Sequence, residues 1–293
     1  MRLEREFAVM LGHVAVLMAI SIVAVASASL DVAAARYGDA FLILRRWLAY
    51  WVVGWAVLGL SAYAPWDRLR RASFALVLGV VVLALLPLVP KLGVRINGAA
   101  RWITLGGITL QPAEFLKPAL VLYLAHYFDR KGDEGQSGRA IVPPLVVVGL
   151  SAVALLLQPD FGDAVLLVGV ALAMAVAAGV PGRLLVLVLV LGALAAAAVA
   201  TYAPYRFARL LAFIDPWAHR WDSGYQLAQS LLAFGSGGLF GTGVGLGIQK
   251  LFYLPEVFTD FIAAAWAEET GFIGVLALLG TFVVLIVRML AWA

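Results

Sequence analysis

The chain has 293 residues, 64% of them hydrophobic and 13% charged, with a mean hydropathy of +0.99 and a formal net charge of +4. A soluble domain is roughly 45–50% apolar, so a soluble globular protein is excluded and an integral membrane protein is implied. There is no cysteine, which removes a disulfide, a thiolate nucleophile and a cysteine-ligated metal from consideration, and His13, His126 and His219 lie too far apart for an HExxH-type zinc site.

Hydrophobic runs mark eight predicted spans, at 8–30, 46–64, 73–90, 111–128, 141–158, 161–180, 184–203 and 261–290. The alternating pattern of a membrane β-barrel is missing. The expected fold class is therefore all-α, a polytopic helical membrane protein with a single transmembrane domain over 1–293. The first run resembles a signal peptide, with the charged start "MRLERE" and the small residues of "VASASL". Its apolar stretch exceeds an h-region and further spans follow, so it reads as an uncleaved helix. Between the spans lie "APWDRLRR", "DRKGDEGQSGR", the tight "PGR", the segment 91–110, and one large loop over 204–259. With the N-terminus inside, ten arginines and lysines fall on each side and Lys117 lies in a span. The plain count does not orient the chain, but the short inner loops carry the denser clusters, which places the N-terminus inside and the 204–259 loop outside the cytoplasm.

Three segments put polar groups at membrane depth, where an ionisable side chain is expensive and marks a candidate site. In "RINGAARWITLGGITLQPAEFLKPAL", Pro112 suits the first turn of a helix, and Glu114 and Lys117 then share a face, three residues apart. They form either a site or an ion pair that lowers the cost of membrane entry; Arg101 beside Trp102 is either a ligand or an interfacial anchor. In "LLLQPDFGDAVLL", Asp160 and Asp163 stand at a break between two spans, with a helix N-cap as the plainer role for Asp160. The large loop carries Arg206 and Arg209 at helical spacing, suited to an anionic group. Its glycine run 235–247 is no phosphate-binding loop, since neither a lysine–serine/threonine pair nor a strand–helix unit accompanies it; it reads as an irregular or re-entrant segment flanked by the amphipathic "YQLAQSLLAF". Glu256 and Asp260 follow, four residues apart, and then Glu268 and Glu269, whose plainer role is a polar seam between helices.

The motifs "NGAARWI", "QPAEFLK", "QPDFG", "PYRFARLLAFIDPW", "GYQLAQSLLAFGSGGLFGTGVG" and "QKLFYLPEVFTDFIAAAWAEETGFIG" stand in the order and spacing of the SEDS family (shape, elongation, division, sporulation). The chain resembles that family over essentially its whole length, and its division member more than its elongation member. The resemblance implies a glycosyltransferase that polymerises lipid II into glycan strands at the outer face of the bacterial inner (cytoplasmic) membrane, at the division septum. It implies as partners lipid II and the growing lipid-linked strand, a class B penicillin-binding protein, other divisome or elongasome membrane proteins and membrane lipid, with no nucleic acid. It makes the acid of "TDF", Asp260, the catalytic one, and places Arg101, Glu114 and Lys117 in the family's polar cavity.

Glycan polymerisation needs a base for the incoming hydroxyl and a cationic partner for the departing lipid pyrophosphate. Asp260, partly desolvated at the membrane boundary, suits the first. The outer arginines, Arg206 and Arg209 among them, suit the second, which a divalent cation, Mg²⁺ or Mn²⁺, can share. Glu256 is expected to orient Asp260 or to help hold such an ion. The chain departs from the family pattern at Phe258, where a histidine is usual, and at Ala100, where an arginine is usual. The family has ten spans and this chain stops after the eighth, so the expectation is a truncated or degenerate chain. A lipid II flippase and a non-catalytic scaffold are the competing readings.

Overall fold

The computed structural model describes residues 2–90, 92–96, 99–105, 108–132, 141–201 and 211–292. In chain order the helices are α1 (Arg2–Tyr37), α2 (Leu42–Ser61), α3 (Trp66–Arg71), α4 (Ser73–Leu85), α5 (Leu116–Lys131), α6 (Val142–Leu157), α7 (Phe161–Ala177), α8 (Gly182–Thr201), α9 (Tyr225–Gly237) and α10 (Ile262–Trp292). Each of the eight apolar runs falls on one of them. By length and composition, Arg5–Tyr37, Leu42–Ser61 and Ile262–Trp292 can cross a membrane, whereas four other apolar helices are shorter. Seventeen residues give only about 25 Å of helix against roughly 30 Å of hydrocarbon.

The all-α expectation fails at 93–110. Strands β1 (Gly93–Ile96), β2 (Ala99–Leu105) and β3 (Ile108–Leu110) form an antiparallel sheet in the order β1-β2-β3. The strands are separated by Asn97-Gly98 and Gly106-Gly107, dipeptides that suit two-residue hairpins. Val94 pairs with Trp102 and Arg95 with Ala100, so Arg101 is the extra residue of a bulge.

The chain's contacts group into two units, Met1–Ala62 with Val199–Ala293, and Tyr63–Ala198. In the first, α1 and α10 run antiparallel. Arg288 Nη1 reaches Glu6 Oε2 at 2.7 Å, and Ser27 Oγ donates to Glu269 Oε1 at 2.5 Å. These contacts lie roughly twenty residues apart on each helix, about 30 Å of rise, the thickness of a bilayer core. Small buried residues, Ala24, Ala28, Ser29 and Ala33 on α1 and Ala264 and Ala265 on α10, allow the close approach that packing in lipid depends on.

Helix α10 kinks at Gly271, whose φ of 68° and ψ of −168° lie in a region essentially reserved for glycine. Two helical bonds are lost there and each half finds another partner. The carbonyl of Glu268 accepts from Thr242 N (2.9 Å) and that of Glu269 from Gly243 N (3.0 Å), while Phe272 N and Ile273 N donate to Gly238 O and Leu239 O at 2.9 and 3.2 Å. The glycine-rich stretch after α9 is thus an irregular segment docked into the kink, where its backbone groups are satisfied by protein.

In the second unit the core follows the 3.6-residue period of α5, with Leu116, Leu120, Tyr123 and Leu124 packing on Val77 of α4, Val147 and Leu155 of α6 and Leu167 of α7. Pro112–Phe115 forms a 3-10 turn leading into α5, as the proline position predicts. Gln158, fully buried after α6, donates to Ala84 O at 2.7 Å and Ala154 O at 3.2 Å, tying the ends of α4 and α6 together.

Candidate active site

Five charged side chains of the second unit converge on the start of α7. The bulge on β2 aims Arg101 at the "QPDFG" turn, where Nε donates to Gln158 O at 3.2 Å and Nη2 to Pro159 O. A cation at these terminal carbonyls of α6 is favoured by the helix dipole. Arg101 also faces Asp160 Oδ2 at 3.5 Å, and Gln111 Nε2 stands at the same distance from that oxygen. Asp160 is 6% exposed and is the N-cap of α7, its Oδ1 accepting from Asp163 N at 3.4 Å. Burial pushes its carboxyl above the ordinary carboxylate range, while Arg101 beside it pulls the other way.

One turn further, Lys117 Nζ sits 2.9 Å from Glu114 Oε1 and 3.1 Å from Asp163 Oδ1. The predicted Glu114–Lys117 pair forms, but as two sides of a triad. Glu114 is 54% exposed at its side chain and Asp163 20%, so the partner missed by local spacing is the better buried one.

In the first unit, Asp260 lies two residues before α10 on a turn organised by Glu256. Glu256 has a φ of 52°, and its carbonyl accepts from Thr259 N (3.2 Å), Asp260 N (3.0 Å) and Thr259 Oγ1 (3.1 Å). Its carboxylate reaches Thr259 Oγ1 at 3.5 Å. Glu256 therefore acts on Asp260 through its backbone. The Asp260 side chain is exposed and makes no hydrogen bond or ion pair among the described residues. Among the described residues, packing does not supply the desolvation expected of it, because the buried residues of the turn are Leu254 and Val257.

Glu268 and Glu269 are buried at 2% and 3% exposure. Glu268 accepts from the amides of Ile248 (2.9 Å) and Gln249 (3.1 Å), and Glu269 pairs with Lys250 at 2.7 Å. The polar seam is present, since Glu269 meets Ser27 of α1, and it extends into the loop. Arg206 and Arg209 lie outside the described residues. Asp163 is legible in the sequence only as a polar residue at the break between two spans, not as a partner of Lys117, and Lys250 and Gln158 carry no local pattern beyond their place in the motifs "QKL" and "QPDFG". Among the described residues no group of three or more histidines or carboxylates could hold a metal ion, so they build no cage for Mg²⁺ or Mn²⁺.

Residues 7–293 match the family model of the FtsW/RodA/SpoVE cell cycle proteins. The chain is 43% identical over 271 residues to the probable peptidoglycan glycosyltransferase FtsW of Saccharophagus degradans, covering 92% of this chain and 70% of that one. It is also 43% identical to the FtsW of Coxiella burnetii, covering 94% and 74%. Among solved structures it is similar to a chain described under "Structural coordination of polymerization and crosslinking by a peptidoglycan synthase complex", with a TM-score of 0.72, 28% identity and 96% of this chain covered against 76% of that one. RodA of Thermus thermophilus follows, with a TM-score of 0.63, 27% identity and 96% against 73% covered. The apolar helices and these likenesses make it a multi-pass inner-membrane protein, and the chain belongs to the FtsW/RodA/SpoVE family and, with it, to the peptidoglycan glycosyltransferases.

Proposed function

We propose that this chain polymerises lipid II at the outer face of the cytoplasmic membrane, at the division septum, with Asp260 as the general base for the incoming sugar hydroxyl. The observation that carries the assignment is the exposed Asp260 carboxylate, free of partners among the described residues, on a turn fixed by three bonds to one carbonyl. Every other carboxylate singled out in the sequence has a partner: Asp160 has Arg101, Glu114 and Asp163 have Lys117, Glu256 has the Thr259 hydroxyl, Glu269 has Lys250, and Glu268 has two amides. A base must present a free lone pair to its substrate. Glu256 then positions Asp260. Arg101, Lys117, Arg206 and Arg209 are proposed as substrate-binding cations, guanidinium and ammonium groups being the side chains that meet pyrophosphate oxygens. A class B penicillin-binding protein is the proposed partner, supported by the likeness to a chain from a complex that couples polymerization to crosslinking.

The test is polymerisation of lipid II by the protein purified with that partner. Asp260→Asn keeps the shape and removes the proton acceptor. A positioned base contributes about 10²- to 10⁴-fold, so polymer formation should fall by that much while folding and partner binding persist. Full activity in a folded Asp260→Asn protein removes the assignment. A flippase is the second reading, favoured by the partly exposed Glu114–Lys117–Asp163 triad among apolar helices; it predicts no polymer from either protein and lipid II translocation in vesicles that Lys117→Met abolishes.

A further inference from the structure

We infer that the buried Lys250–Glu269 pair, with Ser27 and Glu268, forms a positioning device for Asp260; the inference rests on Asp260 being the base. Lys250 Nζ donates to Glu269 Oε1 and to Ser27 Oγ, both at 2.7 Å, and Ser27 Oγ donates to the same carboxylate oxygen. Lys250 is 4% exposed and Glu269 3%. Next to it, Glu268 holds the amides of Ile248 and Gln249. The approach is close at Gly247: a Cβ there would stand 2.9 Å from Glu268 Oε2 and 3.1 Å from Glu269 Cγ. Two adjacent carboxylates of α10 therefore grip the root of the loop from both its backbone and its side-chain side.

From that root the loop runs without regular structure to Asp260 and re-enters α10 at Ile262. Leu254 and Val257 fill the core with Ala28, Ala233, Ala264 and Ala265, and Tyr225 donates its hydroxyl to Tyr253 O at 2.8 Å. The loop is thus fastened to α10 at both ends, about two turns apart, and its exposed carboxylate sits beside the second fastening. Apolar side chains would fill the root as well or better, because a buried ion pair is a poor source of stability. Charges there have another use: they fix direction as well as distance, and through Ser27 they fix the loop against α1 too. A displacement of about 1 Å at a reacting group can cost about 10²-fold in rate, so the expected signature lies in kcat and not in substrate affinity.

The test uses the full chain with its transpeptidase partner. The double variant Lys250→Met with Glu269→Gln removes both charges and keeps both shapes. Its unfolding temperature should hold, its kcat for polymerisation should fall about 10²-fold with KM for lipid II within about twofold, and a nitroxide on Tyr253→Cys, in a chain without native cysteine, should report faster loop motion. Ser27→Ala, which leaves the pair and removes its bridge, should shift both readouts the same way by less, and it serves if the double variant does not fold. An unchanged nitroxide spectrum with unchanged kcat, or a loss confined to KM, overturns the inference. If Asp260→Asn proves active, the base assignment fails, whereas the nitroxide still shows whether the pair holds the loop.

Discussion

Removing Lys117 tests whether the charges of the second unit act as a pair or as a triad. Lys117→Met deletes a cation lying 2.9 Å from Glu114 and 3.1 Å from Asp163. The near-equal distances suggest near-equal energies, but exposure separates them. Glu114 is 54% exposed, so its pairing is worth about 0.2–1 kcal/mol, as exposed ion pairs usually are. Asp163 is 20% exposed and Lys117 29%, and a hydrogen bond to a charged group at such burial is worth about 1.5–3 kcal/mol. Lys117→Met should then cost about 2–4 kcal/mol, Glu114→Gln about 1 or less, and Asp163→Asn about 1.5–3. In a double-mutant cycle the coupling of Lys117 with Asp163 should exceed that with Glu114 by about 1 kcal/mol or more, and Asp163→Asn should become nearly neutral once Lys117 is gone. Unfolding in detergent, followed by tryptophan fluorescence, measures each corner. A larger coupling to Glu114, or additivity within about 0.5 kcal/mol for both pairs, refutes the triad.

Gly271→Ala should be strongly destabilising, by about 2 kcal/mol or more, because its backbone conformation excludes a side chain and the added Cβ would stand 2.6 Å from Leu239 O; thermal unfolding and loss of polymerisation together report it. Asp160 has a folded pKa raised by burial, so its protonated form is favoured on folding. Its stabilising contribution is fully present below the unfolded value of about 3.9 and is lost as pH rises through the higher folded value. Asp160→Asn, a comparable N-cap, should flatten that part of the stability–pH curve. Cysteines placed at the exposed Ser223 and Ser236 should react with an impermeant thiol reagent from outside intact spheroplasts; labelling only after the inner face is opened would reverse the orientation.

The eight apolar runs are legible because lipid forces every residue of a span to be apolar while the backbone bonds to itself, so composition alone marks a helix. The sheet at 93–110 is hidden by the same signal. Its strands are three to seven residues long, too short for a period to emerge, and only Asn97-Gly98 and Gly106-Gly107 announce them. The Glu114–Lys117 contact follows from spacing on one helix, whereas Asp163 joins it from α7 and needs the fold. Arg101 is readable as a functional arginine from its motif, yet what aims it is a one-residue bulge, a register property that its residue type does not encode.

The four carboxylates between Tyr253 and Glu269 show where local reading stops. Sequence alone places Glu256 and Asp260 one turn apart and Glu268 and Glu269 two turns further on, and suggests side-chain roles for all four. In the fold, Glu256 works through its carbonyl and Glu268 through two distant amides, and Glu269 meets a lysine nineteen residues before it on the chain. The partners of Glu256 are local, but those of Glu268 and Glu269 go with the kink at Gly271, which frees two carbonyls and two amides for the glycine-rich segment. Once that segment docks, Gly247 and Ile248 come against Glu268, and Lys250 is carried to Glu269. The glycines thus set the partners of Glu268 and Glu269, Glu256 turns its carboxylate to Thr259, and of the four carboxylates the one without a partner among the described residues is Asp260.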